Sequence, residues 1–400
     1  MENDRASRLP RIALLGSRGI PARYGGFETF AQELATGLVA RGFEVTVFAD
    51  GREGPVASDF RGVRVERVAV PVSGAGGTLL YDLCSLWRAR GRFDVVLMLG
   101  YGAGGFLWLA RGGGTRVWIA MDGREWRRRK WGPLARAWLR GMERLALRQA
   151  DRLVFDSAAV CAEVCGRTFP EARLAVLEYG ARLDHAEDPV ALAAAGLAPC
   201  RYYLLVARNE PENHVLEAVR AHARAGLERE LVVVGDVERA GAYGRACRAA
   251  GVRSARFLGA LYEPIHLHTL RANAWALLHG HSVGGTNPSL LEGMAAAVPV
   301  LAHANPYNRE VLAGEGLWFA SEDELVERLR ALERLAPAER RALGERLRAR
   351  VCAYYTWERI IDGYAARLAQ APPARSAARP DGDAVPAALP TPARAREEAR

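Results

Sequence analysis

The segment richest in chemical signals is a polar, glycine-rich loop between an apolar run and a predicted helix. It reads HGHSVGGTNPSLLEGM over residues 279–294 and follows the apolar run Trp275–Leu278. Asn287 suits a helix N-cap and Pro288 suits the first helical position. Because unpaired N–H groups at a helix start bind phosphate, we expect this helix start to hold a diphosphate. Glu292 stands among leucines, so we expect a buried carboxylate partnered by a ribose diol.

An arginine stands where another predicted strand ends. The apolar run Tyr202–Val206 precedes the sequence RNEPEN, which covers residues 208–213. Ligands of parallel sheets bind at the carboxyl ends of the strands, so Arg208 would point into a cleft. Its planar guanidinium is well suited to a pyrophosphate group. A surface salt bridge is the alternative interpretation.

A third loop follows the first predicted strand and reads GSRGIPARYGGFET over residues 16–29. Gly25 and Gly26 stand just before a predicted helix, where backbone N–H groups could bind phosphate or sugar oxygens. Arg23 and Tyr24 stand beside them, and we expect both to contact an acceptor. The alternative is a tight strand-to-helix turn that needs glycine for a positive φ.

Carboxylates, tryptophans and cations are concentrated in DGREWRRRKW, residues 122–131, directly after a β-branched run. Carboxylates accept hydrogen bonds from sugar hydroxyls, so Asp122 and Glu125 are predicted to orient the acceptor hydroxyl or the donor sugar. Trp126 could pack on a sugar ring, and Lys130 adds a positive charge; both are predicted to contact the acceptor. A solvated charged turn is the alternative.

A series of arginines follows at intervals of four residues, which would form a basic stripe on one helix face. Such a stripe suits an anionic membrane surface or a phosphorylated lipid, although a solvated face remains the alternative. Its members are Arg136, Arg140, Arg144, Arg148 and Arg152.

Two weaker motifs argue against a resident cofactor or metal. GYGAGG at residues 100–105 matches a dinucleotide fingerprint, but Phe106–Ala110 is too short for the crossover helix, so a glycine-rich cleft wall is favoured. His279 and His281 lack the spacing of helical metal ligands, and the sequence offers no obvious third ligand. We therefore expect no metal and no bound cofactor.

The elements that must position these residues alternate between strand and helix twice along the chain. Strand signals include Arg11–Leu15, Glu44–Phe48 and Val95–Leu99, with helical periodicity between them. The pattern restarts at residue 202. Such alternation predicts an α/β protein with two Rossmann-like, doubly wound parallel-sheet domains that face a cleft.

We predict the domain organisation from these patterns and from composition. The segment after residue 182 lacks strand signals, is rich in alanine and contains Pro189 and Pro199, so a linker is expected there. A helix with one apolar face precedes a proline-rich end that is predicted to be disordered. The predicted units are a first domain at 1–185, a linker at 186–200, a second domain at 201–353, a docking helix at 354–370 and a tail at 371–400.

Composition narrows the class of protein. Among 400 residues, 50% are apolar and 25% are charged, which is typical of globular domains. No apolar run is long enough for a membrane span, and no secretory signal opens the sequence, so a cytoplasmic protein is expected. Lys130 is the only lysine, so the net charge of +9 reflects arginine abundance and is weak evidence for nucleic-acid binding.

These motifs together resemble a known enzyme family. GSRGIPARYGGFETFAQEL, DGREWRRRKW, RNEPEN and HGHSVGGTNPSLLEGM are similar to segments of the retaining glycosyltransferases of family 4, which have the GT-B fold. The resemblance is greater to the bacterial capsule and exopolysaccharide branch, which includes rhamnosyltransferases. It covers about residues 10–370.

The resemblance implies roles for individual residues. Arg208 matches the arginine that binds the donor diphosphate, and Glu292 matches the second glutamate of an E-x7-E motif, which holds the ribose. Gly25 and Gly26 match a glycine loop beside the donor phosphates. The implied donor site comprises Gly25, Gly26, Arg208, Asn213, Gly284, Gly285, Thr286, Asn287 and Glu292.

Two positions depart from the family pattern. Gly284 stands at the place of the first glutamate, which usually contacts the donor sugar, and Asn213 stands at the place of a lysine that usually partners the arginine. Donor-sugar recognition must therefore differ from the general family. The charge of the leaving diphosphate must be offset by other groups, such as Arg18, Arg23, Lys130 or helix N–H groups.

The resemblance implies transfer of a sugar from a nucleotide diphosphate sugar, with retained configuration, in cell-surface polysaccharide biosynthesis. Arg208 would stabilise the leaving diphosphate, while Asp122 and Glu125 would orient substrates, without a metal. We expect L-rhamnose on thymidine diphosphate as the donor. A lipid-linked oligosaccharide at the inner membrane face is the expected acceptor.

Two other classes of protein are also compatible with the sequence. A nucleotide-sugar 2-epimerase could use the same two-domain fold and the same ligand. A non-catalytic nucleotide-sugar binding protein would fit the loss of the first E-x7-E glutamate. Product formation from donor and acceptor distinguishes all three.

Overall fold

The computed structural model describes residues 8–371, except residues 24, 55–56, 167–168, 184–186 and 253. In this part of the chain, two mostly parallel sheets carry helices on both faces, and their order follows the chain. The predicted α/β class with two Rossmann-like domains is confirmed. The predicted tail lies almost entirely outside the described residues.

The first domain contains the first eight strands and four helices among the described residues. The strands are β1 Arg11–Leu15, β2 Glu44–Asp50, β3 Asp59–Phe60, β4 Val63–Val68, β5 Val95–Leu99, β6 Arg116–Met121, β7 Arg152–Phe155 and β8 Leu174–Val176. The helices are α1 Gly26–Ala40, α2 Gly74–Ala89, α3 Pro133–Gln149 and α4 Ala158–Cys165.

The first sheet has the strand order β3-β4-β2-β1-β5-β6-β7-β8 within the described residues. All neighbours are parallel except β3 and β4. Alternate side chains of a strand face opposite sides, so Ile12 and Leu14 pack with Leu34 of α1, whereas Ala13 and Leu15 belong to the core on the α2 side. This pattern buries both faces of β1.

The second domain contains six further strands in the described residues, with the order β11-β10-β9-β12-β13-β14. The strands are β9 Tyr202–Val206, β10 Glu230–Val234, β11 Ala255–Gly259, β12 Ala276–His279, β13 Val300–His303 and β14 Leu317–Phe319. Helix α5, Pro189–Ala194, precedes β9, so the helices of this domain are numbered from α6. They are α6 Val215–Ala225, α7 Gly241–Gly251, α8 Pro264–Ala272, α9 Pro288–Ala295, α10 Pro306–Leu312, α11 Glu322–Glu333 and α12 Pro337–Tyr354.

The segment predicted as a linker contains a helix, α5 Pro189–Ala194, which the sequence reasoning missed. Pro189 is the first helical residue and does not break a helix here, because that position needs no N–H donor. The Asp188 side chain caps the helix by accepting a hydrogen bond from the Val190 N–H. Helix α5 packs against α8 of the second domain.

The last helix, α13 Trp357–Ala369, returns to the first domain and packs on α1. The Trp357 ring lies 6.1 Å from Phe30 and 4.8 Å from Tyr179, centroid to centroid. Arg41, the residue after α1, forms ion pairs with two carboxylates of α13. The two domains are therefore joined by this helix as well as by the connection through residues 177–201.

The glycines of GYGAGG do not line a cleft, which corrects the expectation of a glycine-rich cleft wall. A Cβ at Gly104 would lie 2.7 Å from the Met142 carbonyl oxygen, and one at Gly105 would lie 2.8 Å from Leu145. These glycines therefore allow residues 104–110 to pack closely on α3. No helix among the described residues is both long and apolar enough to span a membrane.

Candidate active site

The carboxyl ends of the two sheets face a cleft with a volume of about 1160 Å³. Asp122 and Asp156, which follow β6 and β7, line it from the first domain. Arg208 and Asp236, which follow β9 and β10, line it from the second. A cavity of this size accommodates a ligand as large as a nucleotide sugar.

Arg208 lies two residues beyond β9, and its side chain is 65% exposed within the open cleft. Within the described residues its ion-pair partner is Glu210, whose carboxylate oxygen lies 3.8 Å from a guanidinium nitrogen. An ion pair of this length and exposure is weak. The guanidinium is thus available to an anionic ligand.

Asn213 supports this region from inside the protein. Its Nδ2 donates to the Arg208 carbonyl oxygen at 2.7 Å, and its Oδ1 lies 2.7 Å from Nδ1 of His281. Asn213 is buried, with only 5% of its surface exposed. Asn213 therefore holds the backbone after β9 against the glycine loop, and its amide is already occupied by protein partners.

Two glycine backbones, one from each domain, approach each other closely. A Cβ at Gly123 would lie 2.8 Å from Cα of Gly284, a distance that real Cβ atoms do not adopt. Gly284 itself has a φ of +138°, which disfavours other residues, and a Cβ there would lie 2.8 Å from His281 Nε2. The glycine in place of the family's first glutamate is thus favoured by backbone shape and by the position of His281.

Asp156 fixes the neighbouring part of the glycine loop across the domain boundary. Its Oδ2 accepts a hydrogen bond from the Thr286 N–H at 3.1 Å, and its carbonyl oxygen accepts one from the Thr286 hydroxyl. Burial, together with the negative charge of Asp122, raises the pKa of Asp156 well above its usual range. Asp156 was not predicted as a site residue.

The start of α9 differs from the expectation of unpaired N–H groups. The Asn287 side chain accepts from the Ser289 N–H at 2.9 Å, and the Asn287 carbonyl accepts from the Leu290 N–H at 3.1 Å. Pro288 has no N–H to offer. Asn287 is the N-cap as predicted, but what remains for a diphosphate is mainly the positive end of the helix.

Glu292 corrects the prediction of a buried carboxylate. Its side chain is 37% exposed in the cleft, and it forms an ion pair of 2.5 Å with Arg271 of α8. Arg271 is itself buried and lines the same cleft. The leucines beside Glu292 are buried as expected, but the helix turns the carboxylate towards the cleft.

The DGREWRRRKW segment forms an ion-pair cluster across the cleft. Glu125 lies 2.6 Å from Arg128 Nε and 3.2 Å from Lys130 Nζ, and its Oε1 accepts from the Trp131 indole at 3.0 Å. The same two cations lie 3.7 and 3.9 Å from Glu210 of the second domain. Glu125 is therefore occupied by protein cations, whereas Lys130 also lines the cleft.

Asp122 lies at the end of β6 among these charges. Burial raises its pKa, the charge of Glu125 adds to the rise, and the positive charges of Arg128, Arg208 and Lys130 oppose it. The carboxyl group is therefore exposed to charges from both domains. A hydroxyl-bearing ligand in the cleft could hydrogen-bond to it in either protonation state.

Trp126 does not line the cleft, contrary to its predicted contact with an acceptor. Its indole N–H donates to Glu143 at 3.0 Å, and the Arg140 guanidinium lies 4.2 Å from its ring centroid. Packing on α3 therefore holds the ring within the first domain. Cation–aromatic packing of this kind consumes the surface that a sugar ring would need.

The loop after β1 contributes glycines and one exposed arginine. Gly25 is the N-cap of α1 with a φ of +107°, and a Cβ at Gly26 would lie 3.7 Å from Pro288, so this loop approaches the start of α9. Arg23 lines the cleft and donates to the Glu53 carbonyl at 2.7 Å. Tyr24 lies outside the described residues.

The predicted arginine stripe is interrupted in the structure. Arg136 is partly buried and reaches the Arg128 carbonyl, Arg140 packs on Trp126, and Arg152 lies on β7 above Trp118. Arg140, Arg144 and Arg148 remain exposed on α3, whereas Arg136 and Arg152 are half-buried. The helix face therefore carries fewer solvent-facing charges than the spacing predicted.

Several cleft residues were missed because their signals are weak in the sequence. Arg128 stands in an arginine run, Arg271 follows an ordinary helical pattern, and Asp156 precedes the serine that caps α4. Asn209 is also buried in the cleft, and neither of its amide atoms has a hydrogen-bond partner in the described part of the chain. Only their positions in the folded chain reveal them.

The cleft geometry suits an anionic, hydroxyl-rich ligand. Exposed and half-buried cations lie beside carboxyl groups at the ends of opposing strands. In the described ranges, no three His, Cys, Asp or Glu side chains lie close enough together to hold a metal ion.

Both halves of the chain match family models. Residues 25–180 match a model described as a glycosyl transferase 4-like domain, and residues 208–366 match one described as glycosyl transferase-like. No curated protein sequence matches the chain significantly.

Solved structures share the fold at low sequence identity. Sucrose-phosphate synthase from Thermosynechococcus elongatus has 18% identity and a TM-score of 0.74, over 90% of this chain and 98% of that chain. Anabaena HepE in complex with UDP and glucose has 15% identity and a TM-score of 0.70, over 90% and 99%. The UDP-forming trehalose-phosphate synthase from Burkholderia vietnamiensis has 13% identity and a TM-score of 0.69, over 90% and 99%.

His279 makes the stability of the second domain depend on pH. It is buried at the end of β12, where burial and the nearby His303 lower its pKa to about 3. The unfolded chain binds a proton near pH 6.5, so stability falls as the pH decreases below that value. Between pH 7.5 and 5.5, the wild type should lose about 1.4 kcal/mol more of its unfolding free energy than His279→Gln.

Urea unfolding at the two pH values measures this difference. The comparison with His279→Gln cancels the contributions of the other histidines. Identical pH dependence of the two proteins would show that His279 has the same pKa in the folded and the unfolded chain.

Proposed function

Because the chain is a glycosyltransferase with the GT-B fold, we propose that it transfers a sugar from a nucleotide diphosphate sugar to a glycan acceptor with retained configuration. The observation that carries this proposal is Arg208, an exposed guanidinium at the carboxyl end of β9 in a cleft bounded by both domains. The epimerase and the non-catalytic binding protein are not retained.

The donor would lie with its diphosphate between Arg208 and the positive end of α9. Glu292 lies one turn into that helix, within reach of a ribose, and Arg271 fixes its carboxylate. The solved structure of HepE is a complex with UDP and glucose. We infer that a nucleoside diphosphate group binds in the cleft of this chain.

The proposed reaction breaks the bond between C1 of the sugar and the diphosphate oxygen and forms one to the acceptor oxygen. The acceptor proton passes to the departing diphosphate. Arg208 and Lys130 stabilise the charge that develops there, while Asp122 holds a substrate hydroxyl in place. Glu125 acts indirectly, because its carboxylate positions Arg128 and Lys130.

Replacing Arg208 with alanine should reduce kcat/KM about 100-fold. A charged hydrogen bond to a diphosphate contributes about 2–3 kcal/mol to transition-state stabilisation. The assay is nucleotide release with donor and acceptor. Arg224→Ala is the matched control, because Arg224 is paired with Glu322 and Asp323 away from the cleft; equal effects of the two substitutions would remove Arg208 from the site.

We also propose that no metal is needed for transfer. The cations of the cleft, Arg208 and Lys130, already offer positive charge to a leaving diphosphate. Initial rates should be unchanged within error after treatment with EDTA. A loss of activity that Mg²⁺ or Mn²⁺ restores would contradict this part of the proposal.

The proposed donor is thymidine diphosphate L-rhamnose. Gly284 presents backbone where a glutamate would offer a carboxylate to a gluco-type sugar, and a Cβ at Gly284 would lie 2.8 Å from His281 Nε2. Initial rates with this donor should exceed those with uridine diphosphate glucose on the same acceptor. The reverse order would reject rhamnose and leave the transferase proposal standing.

A lipid-linked acceptor at the inner membrane face, in cell-surface polysaccharide biosynthesis, completes the proposal. Helix α3 exposes Leu134 and Trp138, at 89% and 42%, beside Arg144 and Arg148. At helical spacing these four side chains occupy one continuous face, which suits an anionic lipid surface.

Binding to phosphatidylglycerol vesicles should be salt-sensitive and should be lost in the double variant Arg144→Glu, Arg148→Glu. Each arginine near such a surface contributes about 1 kcal/mol. The control is Arg341→Glu, Arg359→Glu, which makes the same charge change at exposed sites on α12 and α13. Wild-type protein that stays unbound at low salt would exclude this membrane surface.

A further inference from the structure

One oxygen of the Asp156 carboxyl group is held in place but has no partner. Thr286 donates its N–H to Oδ2, and its hydroxyl to the Asp156 carbonyl, so the side chain has one orientation. The other oxygen, Oδ1, is buried and has no hydrogen-bond partner in the residues that the structure describes. A buried acceptor without a partner is costly, and a ligand that donates a hydrogen bond removes that cost.

The position of this oxygen is defined by a glycine. Oδ1 lies directly against Gly285, where a Cβ would overlap with it. Asp156 lines the same cleft as Arg208. The carboxyl group is therefore presented at the junction of the two domains, beside the glycine loop and the start of α9.

Electrostatic effects connect Asp156 to the proposed diphosphate site. The charge of Arg208 lowers the pKa of Asp122, and the charge of Asp122 raises the pKa of Asp156. The three groups therefore lie close enough to interact within one part of the cleft. A sugar attached to a diphosphate at Arg208 would extend among these carboxyl groups.

The chemistry of a carboxylate oxygen selects the type of ligand group. Burial and the charge of Asp122 raise the pKa of Asp156, and a hydroxyl that donates to Oδ1 would stabilise the charged form. Sugar hydroxyls have a hydrogen to donate, whereas ionised phosphate oxygens have none. The loop at residues 280–287 contains no Asp or Glu, so Asp156 adds a carboxyl group to that loop from the first domain.

We propose that Asp156 binds a hydroxyl group of the donor sugar through Oδ1 and so helps to determine which sugar is accepted. This inference rests on the proposed function. Asp156 would thus be a specificity-determining residue supplied by the first domain to a donor held mainly by the second.

The test compares ligands with and without the sugar, by calorimetric titration of the full chain. The pairs are thymidine diphosphate with its rhamnose derivative, uridine diphosphate with its glucose derivative, and guanosine diphosphate with its mannose derivative. Asp156→Asn is the informative variant. Its amide oxygen can still accept from Thr286, which places the NH₂ group at the position of Oδ1, where it donates a hydrogen bond but accepts none.

For the pair that the wild type binds, the Kd of the sugar nucleotide should rise about tenfold or more in Asp156→Asn. The Kd of the nucleoside diphosphate should stay unchanged or decrease. Gly285→Ala should give the same selective loss, because its methyl group displaces the carboxyl group without removing it. Asp151→Asn is the control, since Asp151 accepts from the Val117 N–H at the opposite end of β7, outside the cleft.

The outcomes separate this inference from the proposed function. An equal rise in both Kd values for Asp156→Asn, as a purely structural contact would produce, would overturn the role of Asp156. An unchanged sugar-nucleotide Kd would overturn it as well. If the wild type binds none of the three nucleoside diphosphates, the proposed function fails and this inference fails with it.

Discussion

Thr286 of the second domain is bonded to Asp156 of the first through both its N–H and its hydroxyl. This contact holds the glycine loop against the end of β7 and brings Gly284 onto Gly123. A second contact lies nearby, where Glu310 accepts hydrogen bonds from the start of α4. These contacts set how the strand ends of one domain face those of the other across the cleft. The arrangement of the site therefore depends on them.

The junction also determines how charge is distributed. Arg128 is almost fully buried and lies between Glu125 of its own domain and Glu210 of the other. Buried cations need such partners, and removing one partner leaves an uncompensated charge. Lys130 is similarly shared, and both cations line the cleft. An anionic ligand would therefore enter a site whose positive groups are already ordered by carboxylates.

The sequence was sufficient to predict the repeated strand and helix pattern and the start of α9. Runs such as Arg11–Leu15 and Val95–Leu99 coincide with β1 and β5, because several consecutive residues carry the signal. Strands of two or three residues, such as β3 and β14, were missed because they contain too little periodicity. Pro189 was misread as a helix breaker because position within a helix decides its effect.

Side-chain partners across the fold could not be predicted in the same way. Trp126 has the composition of a sugar-binding residue, yet Glu143 and Arg140, both on α3, occupy its edge and face. Glu292 was expected to be buried, and only Arg271, from another helix, explains why it is not. In each case the deciding contact joins residues that are separate in the sequence, so local patterns carry no information about it.

The central claim is that the cleft holds a nucleoside diphosphate between Arg208 and the start of α9, with the ribose at Glu292. The most direct measurement is a crystal structure of the protein with the nucleoside diphosphate that binds it most tightly. The account predicts a diphosphate within hydrogen-bond distance of the Arg208 guanidinium and ribose hydroxyls at the Glu292 carboxylate. A ligand bound outside the cleft, or one whose diphosphate lies away from Arg208, would contradict it.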